Sequence, residues 1–124
     1  MTEHAYQPGQ VWTFRGAPLP ESRVVIGTID RGKHHDWVFS VSIIKVPLPD
    51  LAAGGTRITD IAHVPVTKTV LDYSLLQNVG TGEPPDSFAE GYASWRSAFD
   101  AGEAGAFTIE IAAVIDAIRQ AVGN

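Results

Sequence analysis

The sequence predicts an α+β fold, in which a bent, mostly antiparallel sheet or partial barrel of four or five strands packs against two to three helices. Two observations indicate this class. Apolar residues alternate with a period of two through residues 9–66 and recur with a helical period through residues 67–124. In addition, 44% of the 124 residues are hydrophobic and none is cysteine, so the chain needs a conventional core. We therefore expect a single domain over residues 1–124.

Four strands are predicted in the first half, over residues 10–15, 22–30, 36–45 and 58–66. The third is the clearest, because every second residue is apolar, as in Trp37, Phe39, Val41 and Ile43. Prolines and glycines predict a loop over residues 46–56. Pro65 confines the fourth strand to an end or an edge of the sheet, because proline lacks a backbone N–H. Short connections between these strands favour an antiparallel meander or a small barrel.

Three helices and one short strand are predicted in the second half. Thr67 is a suitable N-cap for a short helix that ends near Ser74 or Leu76, and Asp86 for a long helix that ends before Gly102. A short strand near 106–109 and a final helix over 110–122 follow. Aromatic residues spaced four, three and four apart give the long helix one apolar face, which we expect to form the main helix-to-sheet core: Phe88, Tyr92, Trp95 and Phe99.

Charge and composition exclude several classes of function. The net charge is −5, and residues 83–124 carry the whole excess, with two basic against seven acidic side chains. Such a surface repels polyphosphate, so nucleic-acid binding is disfavoured. Without cysteine the chain has no thiol nucleophile, disulfide or Cys-ligated metal, and no cofactor is expected. The amino terminus lacks the pattern of a signal peptide, and no apolar run approaches the ~18 residues of a membrane span. We expect a cytoplasmic protein without membrane contact.

The densest polar cluster is formed by His34, His35 and Asp36, within the segment RGKHHD. These residues could bind a ligand or act in acid–base chemistry. The interpretation we favour is a solvated turn between two strands, because adjacent side chains point in different directions there. No metal site is expected. Asp60 and His63 would lie on opposite faces of a regular strand, since they are three residues apart.

His63 is the histidine of greatest interest, because it lies in the apolar strand DIAHVPV. A buried imidazole needs a hydrogen-bond partner, so a structural role is the favoured hypothesis. Alternatively, His63 is a general base in a cleft, with Arg23 or another polar group close to it. Ser42 is the third catalytic candidate.

Two resemblances bear on function. The segments PGQVWTF, IAHVPVTK and EGYASWRSAFDAGEAGAFTIEI, the last spanning residues 90–111, resemble a set of small, uncharacterised bacterial proteins. This likeness covers nearly the whole chain and implies no assigned activity. Residues 8–45 resemble, more weakly, the barrel toxins of the MazF and PemK type, which are endoribonucleases. That resemblance implies that Arg23 stabilises charge on a scissile phosphate. However, Val24 stands where the toxins have proline, and only Ser40 or Ser42 could replace their catalytic threonine.

The sequence favours a small soluble binding or accessory module that acts through protein–protein contacts. A second copy of the chain is one such partner, because Pro65 marks a sheet edge and the second and third strands carry little charge. The proline-rich segment from Pro47 to Pro49 is another pairing surface. The alternative is a small hydrolase or endoribonuclease-like enzyme with a barrel-type site near Arg23 and His63.

Overall fold

A computed structural model describes residues 6–31 and 37–123, and it confirms the α+β class. Five strands form one antiparallel sheet that does not close into a barrel, and three helices pack on it. In chain order the elements are β1 (Gln10–Phe14), β2 (Arg23–Arg31), β3 (Trp37–Pro49), β4 (Thr56–Thr67), α1 (Lys68–Ser74), β5 (Leu75–Thr81), α2 (Phe88–Asp100) and α3 (Ile111–Gly123).

The strands lie in the order β4-β3-β2-β1-β5. The first four form the predicted meander, and β5 returns to pair with β1, so β4 and β5 are the two edges. The edge position predicted from Pro65 is confirmed. Next to it, the backbone of Phe107 donates to the Pro65 carbonyl at 2.8 Å and accepts from the Thr67 N–H at 3.2 Å. This single parallel bridge replaces the short strand predicted near 106–109.

The predicted loop over residues 46–56 is too long, since β3 and β4 continue as a long hairpin and only residues 50–55 form its turn. Pro47 lies opposite Ile58, and Pro49 lies opposite Thr56. Both prolines are tolerated because β2 ends its pairing with β3 at Ile44, so β3 has a neighbour on one side only beyond that point. The proline-rich segment is therefore part of a strand.

Strand β5 is absent from the prediction, which has a helix end and a glycine-rich break in its place. It pairs with β1 through two register shifts. At one of them the Gln77 N–H donates to the Thr13 hydroxyl at 3.1 Å, so a side chain satisfies a backbone group that regular pairing would satisfy. Residues 75–81 show no alternation of apolar and polar side chains, because every residue after Leu75 is exposed and neither face of the strand packs on the core.

The main hydrophobic core lies on one face of the sheet, beneath α1 and α3. From the sheet it takes fully buried side chains such as Val24, Ile26, Phe39, Val41, Ile43, Val46, Val64 and Val66. From the helices it takes Val70, Leu71, Ile111, Val114 and Ile115. In β3 the alternation skips one residue at Lys45, which has a φ of 61° at an irregularity in the pairing with β4. This local bulge keeps Ile43 and Val46 on the same face.

The predicted N-cap of α1 is confirmed, and the predicted N-cap of α2 is not. Thr67 caps α1 as predicted, because its hydroxyl accepts from the Val70 N–H at 3.3 Å. The prediction of Asp86 as the cap of α2 is wrong by one residue. Ser87 occupies that position without a side-chain hydrogen bond, and the Phe88 N–H donates to the Pro85 carbonyl at 2.9 Å.

The aromatic face of α2 packs on the sheet, but on the face opposite the main core. Phe88 and Trp95 are buried, while Tyr92 and Phe99 are half-buried. None of the four belongs to the main core cluster, to which α1 and α3 contribute. The expectation that this aromatic face forms the main helix-to-sheet core is therefore wrong. Helices α1 and α3 therefore cover the face with the main core, and the aromatic side chains of α2 cover the other face.

Candidate functional site

Polar side chains from three adjacent strands share the face of the sheet that α2 covers. We call this surface the polar face, and it consists of Thr28, Asp30, Ser40, Ser42 and His63. Thr28 pairs directly with Ser40 in the β2–β3 register, and Ser42 lies two residues further along β3. The core residues Phe39, Val41 and Ile43 alternate with these serines, so they point to the other side. One side of the sheet is thus apolar, and the other offers hydroxyl, carboxylate and imidazole groups.

Two glycines allow α2 to lie close to the polar face. A Cβ added to Gly27 would lie 2.3 Å from the ring of Phe88, so this ring rests directly on the backbone of β2. A Cβ added to Gly91 would lie 3.0 Å from the Cβ of His63. Because both positions lack a side chain, the rings of α2 reach the sheet without displacing it.

Asp30 connects the polar face to α2. Its two carboxylate oxygens each accept from the Tyr92 hydroxyl at 3.1 Å, and Oδ1 also pairs with the Arg96 guanidinium at 2.8 Å. Burial and the Asp30 carboxylate both raise the pKa of Tyr92, so the phenol stays protonated and donates. Arg96 pairs in addition with Asp100, one helical turn further along α2. We call the contacts of Asp30 with Tyr92 and Arg96 the latch.

His63 lies beneath α2, between aromatic rings and a serine hydroxyl. Its Nε2 is 2.9 Å from the Ser40 Oγ, and its ring centroid lies 5.6, 6.0 and 5.6 Å from those of Phe88, Tyr92 and Trp95. Burial lowers the pKa of His63, and the nearby Asp30 carboxylate partly opposes this. The imidazole is therefore neutral near pH 7 and is able to accept a proton.

In the part of the chain that the structure describes, no hydrogen bond joins the catalytic candidates Arg23, Ser42 and His63 to one another. The Arg23 guanidinium donates to the carbonyls of Pro20 and Ser22 at 2.7 and 2.8 Å, at the start of β2. The Ser42 hydroxyl donates to the Ala62 carbonyl at 2.6 Å. The structure instead brings His63 together with Ser40, which is fully buried. A His–Ser pair can in principle activate a nucleophile, but a buried hydroxyl is out of reach of a substrate while α2 is in place.

The binding candidates His34, His35 and Asp36 lie outside the described residues, so their role remains a prediction. Within residues 6–31 and 37–123, no group of three or more His, Asp or Glu side chains is arranged to hold a metal ion.

A second candidate surface is the free edge of the sheet at β5. Two large hydrophobic side chains of β5 are exposed, Leu76 at 55% and Val79 at 47%, and Tyr73 at the end of α1 is exposed at 55%. The chain carries no charged residue between Asp72 and Glu83. Sequence reasoning missed this surface because it missed the strand. The absence of charge over this segment was the available signal.

Comparison with protein-family models, with curated proteins and with solved structures found no match to this chain. In the part of the chain that the structure describes, no helix combines the length and the apolar character that crossing a membrane requires.

The environment of His63 predicts a pH-dependent stability. Because its pKa is lower in the fold than the ordinary 6.5, the unfolded chain binds more protons as the pH falls below that value. The stabilisation by neutral His63 is thus present above pH 6.5 and is lost as the pH falls toward the lowered pKa. We expect His63→Ala to cost about 1–3 kcal/mol at neutral pH, since Ser40 loses its partner.

Urea unfolding of the wild type and of His63→Ala at a neutral and a mildly acidic pH measures this effect. Both proteins share every other titratable group, so the difference between them isolates His63. The difference in free energy of unfolding should shrink on acidification. A difference that grows would show that the fold favours the charged imidazole.

Proposed function

We propose that this protein is a small binding or accessory module that acts through protein–protein contacts and pairs with a second copy of itself along β5. The observation that carries the proposal is the free edge of β5, an uncharged strand whose residues after Leu75 are all exposed. An edge strand presents unpaired backbone N–H and C=O groups, and another strand can add to them.

The other strands are poorer candidates for pairing. β2 and β3 lie inside the sheet, so the expectation that their low charge leaves them open to a partner is wrong. The edge at β4 is occupied near Pro65 by the backbone of Phe107, and its remaining part carries Arg57 and Asp60. Charged side chains on an edge strand discourage pairing.

The charge distribution favours a second copy as the partner. Two molecules that each carry a net charge of −5 repel one another unless the charges lie away from the contact. Antiparallel pairing of β5 with its symmetry copy places uncharged residues on both sides. The exposed side chains of Leu76 and Val79 then contact the same segment of the partner, as a two-fold interface requires.

Light scattering at micromolar concentration tests the assembly. We expect a mass of twice 13.3 kDa for the wild type. Val79→Lys should give a monomer, because it places two like charges in the interface. Ile58→Lys is the matched control, since Ile58 is 51% exposed at the opposite edge, and it should remain a dimer.

Three outcomes would overturn the pairing along β5. A monomeric wild type across a hundredfold dilution excludes the homodimer. A dimeric Val79→Lys excludes β5 as the interface. Dissociation by Ile58→Lys alone would assign the contact to β4 instead.

The second candidate function is a small hydrolase, and the contact between His63 and Ser40 favours it. The burial of Ser40 ranks it below the binding module, because a nucleophile has to contact its substrate. Turnover of an ester, a phosphodiester or RNA that disappears in His63→Ala would establish this alternative, provided that the variant remains folded under the assay conditions.

A further inference from the structure

We propose that α2 is a cover that opens separately from the rest of the fold and exposes the polar face, with the latch at Asp30 holding it closed. This inference does not depend on the assembly proposed above. It rests on a difference between the two faces of the sheet, namely which groups each face exposes when the helices that cover it move away.

The two buried serines of the polar face are satisfied within the sheet itself, whereas Asp30 has its partners on α2. Ser42 donates to the carbonyl of Ala62, and Ser40 contacts His63, so both buried hydroxyls keep their partners without α2. The opposite face carries the main hydrophobic core under α1 and α3, and uncovering it would expose that core. Opening at α2 exposes the rings of Phe88 and Trp95 but leaves the larger main core covered, so it is favoured over opening at α1 or α3.

The aromatic side chains of α2 also keep some of their contacts after release. Phe88 stacks on Tyr92 with centroids 5.9 Å apart, and Trp95 stacks on Phe99 at 4.7 Å, all within the helix. The indole N–H of Trp95 donates to the carbonyl of Gly105, in the segment that follows α2. The two ring stacks lie entirely within α2, so the helix retains them when it moves away as a unit.

The segments on either side of α2 permit such a movement. Residues 82–87 contain neither helix nor strand, and most of them are exposed. Residues 101–110 contain the single bridge at Phe107 and are also mostly exposed. Exposed segments with few fixed hydrogen bonds open at low cost. Their positions at both ends allow α2 to leave the sheet without disturbing the strands.

The latch sets how often the cover opens. Asp30 is 15% exposed and accepts from both Tyr92 and Arg96, so its carboxylate bridges β2 and α2 through charge-assisted hydrogen bonds. Asp100 binds the same guanidinium from within α2 and makes no bridge to the sheet. Asp30 therefore holds α2 to the sheet, whereas Asp100 makes a contact only within the helix.

Hydrogen exchange followed by mass spectrometry on the full chain tests the cover. In the wild type, we expect peptides from α2 to exchange at least about tenfold faster than peptides from β3. Asp30→Ala should accelerate exchange in α2 by a further tenfold to hundredfold, roughly, and leave β3 and α3 unchanged. Asp100→Asn is the matched control and should leave α2 as in the wild type.

Tyr92→Phe provides a second, milder test, because it removes one hydroxyl and keeps the ring. It should accelerate exchange in α2 in the same direction as Asp30→Ala but by a smaller factor. Equal exchange of α2 and β3 in the wild type would overturn the cover. The cover is also overturned if Asp30→Ala accelerates exchange in every peptide. It is overturned as well if Asp100→Asn accelerates exchange in α2 and Asp30→Ala does not.

Discussion

Replacing Phe39 with alanine should lower the free energy of unfolding by about 3–5 kcal/mol, the largest effect expected for a single substitution in this chain. Phe39 is fully buried in β3 and lies at the centre of the main core, with the ring of Tyr6 against it at a centroid distance of 5.6 Å. Its removal leaves a cavity that the surrounding strands and helices cannot fill. Urea unfolding at neutral pH measures the loss.

Phe107→Ala is the matched control for this prediction. It deletes the same side chain at a position that is 40% exposed, and the backbone pairing with β4 remains possible. Its effect should stay within about 1 kcal/mol. If the two variants unfold at the same urea concentration, the core does not lie where the structure places it.

The second large effect is expected from Trp95→Ala, and it should be confined to α2 instead of affecting the whole fold. Trp95 is 9% exposed between α2 and the polar face, and deletion of a buried Trp side chain costs about 3–5 kcal/mol. If α2 is a cover, the substitution weakens the packing of α2 on the sheet. The helix then becomes largely undocked while the sheet stays folded. The loss in global stability is then smaller than for Phe39→Ala, because an undocked helix contributes no further packing.

Hydrogen exchange and urea unfolding together measure this difference. Exchange of α2 should approach that of an unprotected segment, and exchange of β3 should change little. Trp95→Phe should have an intermediate effect, since it retains a ring but loses the hydrogen bond to Gly105. An unchanged exchange rate in α2, or an equal acceleration throughout the chain, would contradict the prediction.

The candidate site could be predicted from the sequence only in part. His63 is recognisable because a polar residue in an apolar strand requires a partner. Its partner Ser40 and the covering helix are not recognisable, since they lie 23 or more residues away along the chain. The pairing of Asp30 with Arg96 spans 66 residues, and nothing in the surrounding sequence of either residue indicates it. Only the packing of α2 on β2 brings them together.

The α+β class, the alternation in β3 and the cap at Thr67 were determined by the sequence alone, because each depends on neighbouring residues and on the period of their side chains. The tertiary structure decided which face of the sheet each helix covers, that residues 75–81 form an edge strand, and that Pro47 and Pro49 continue β3. These features depend on which strands lie side by side. That choice is made by contacts between residues far apart in the chain, and a local period carries no information about it.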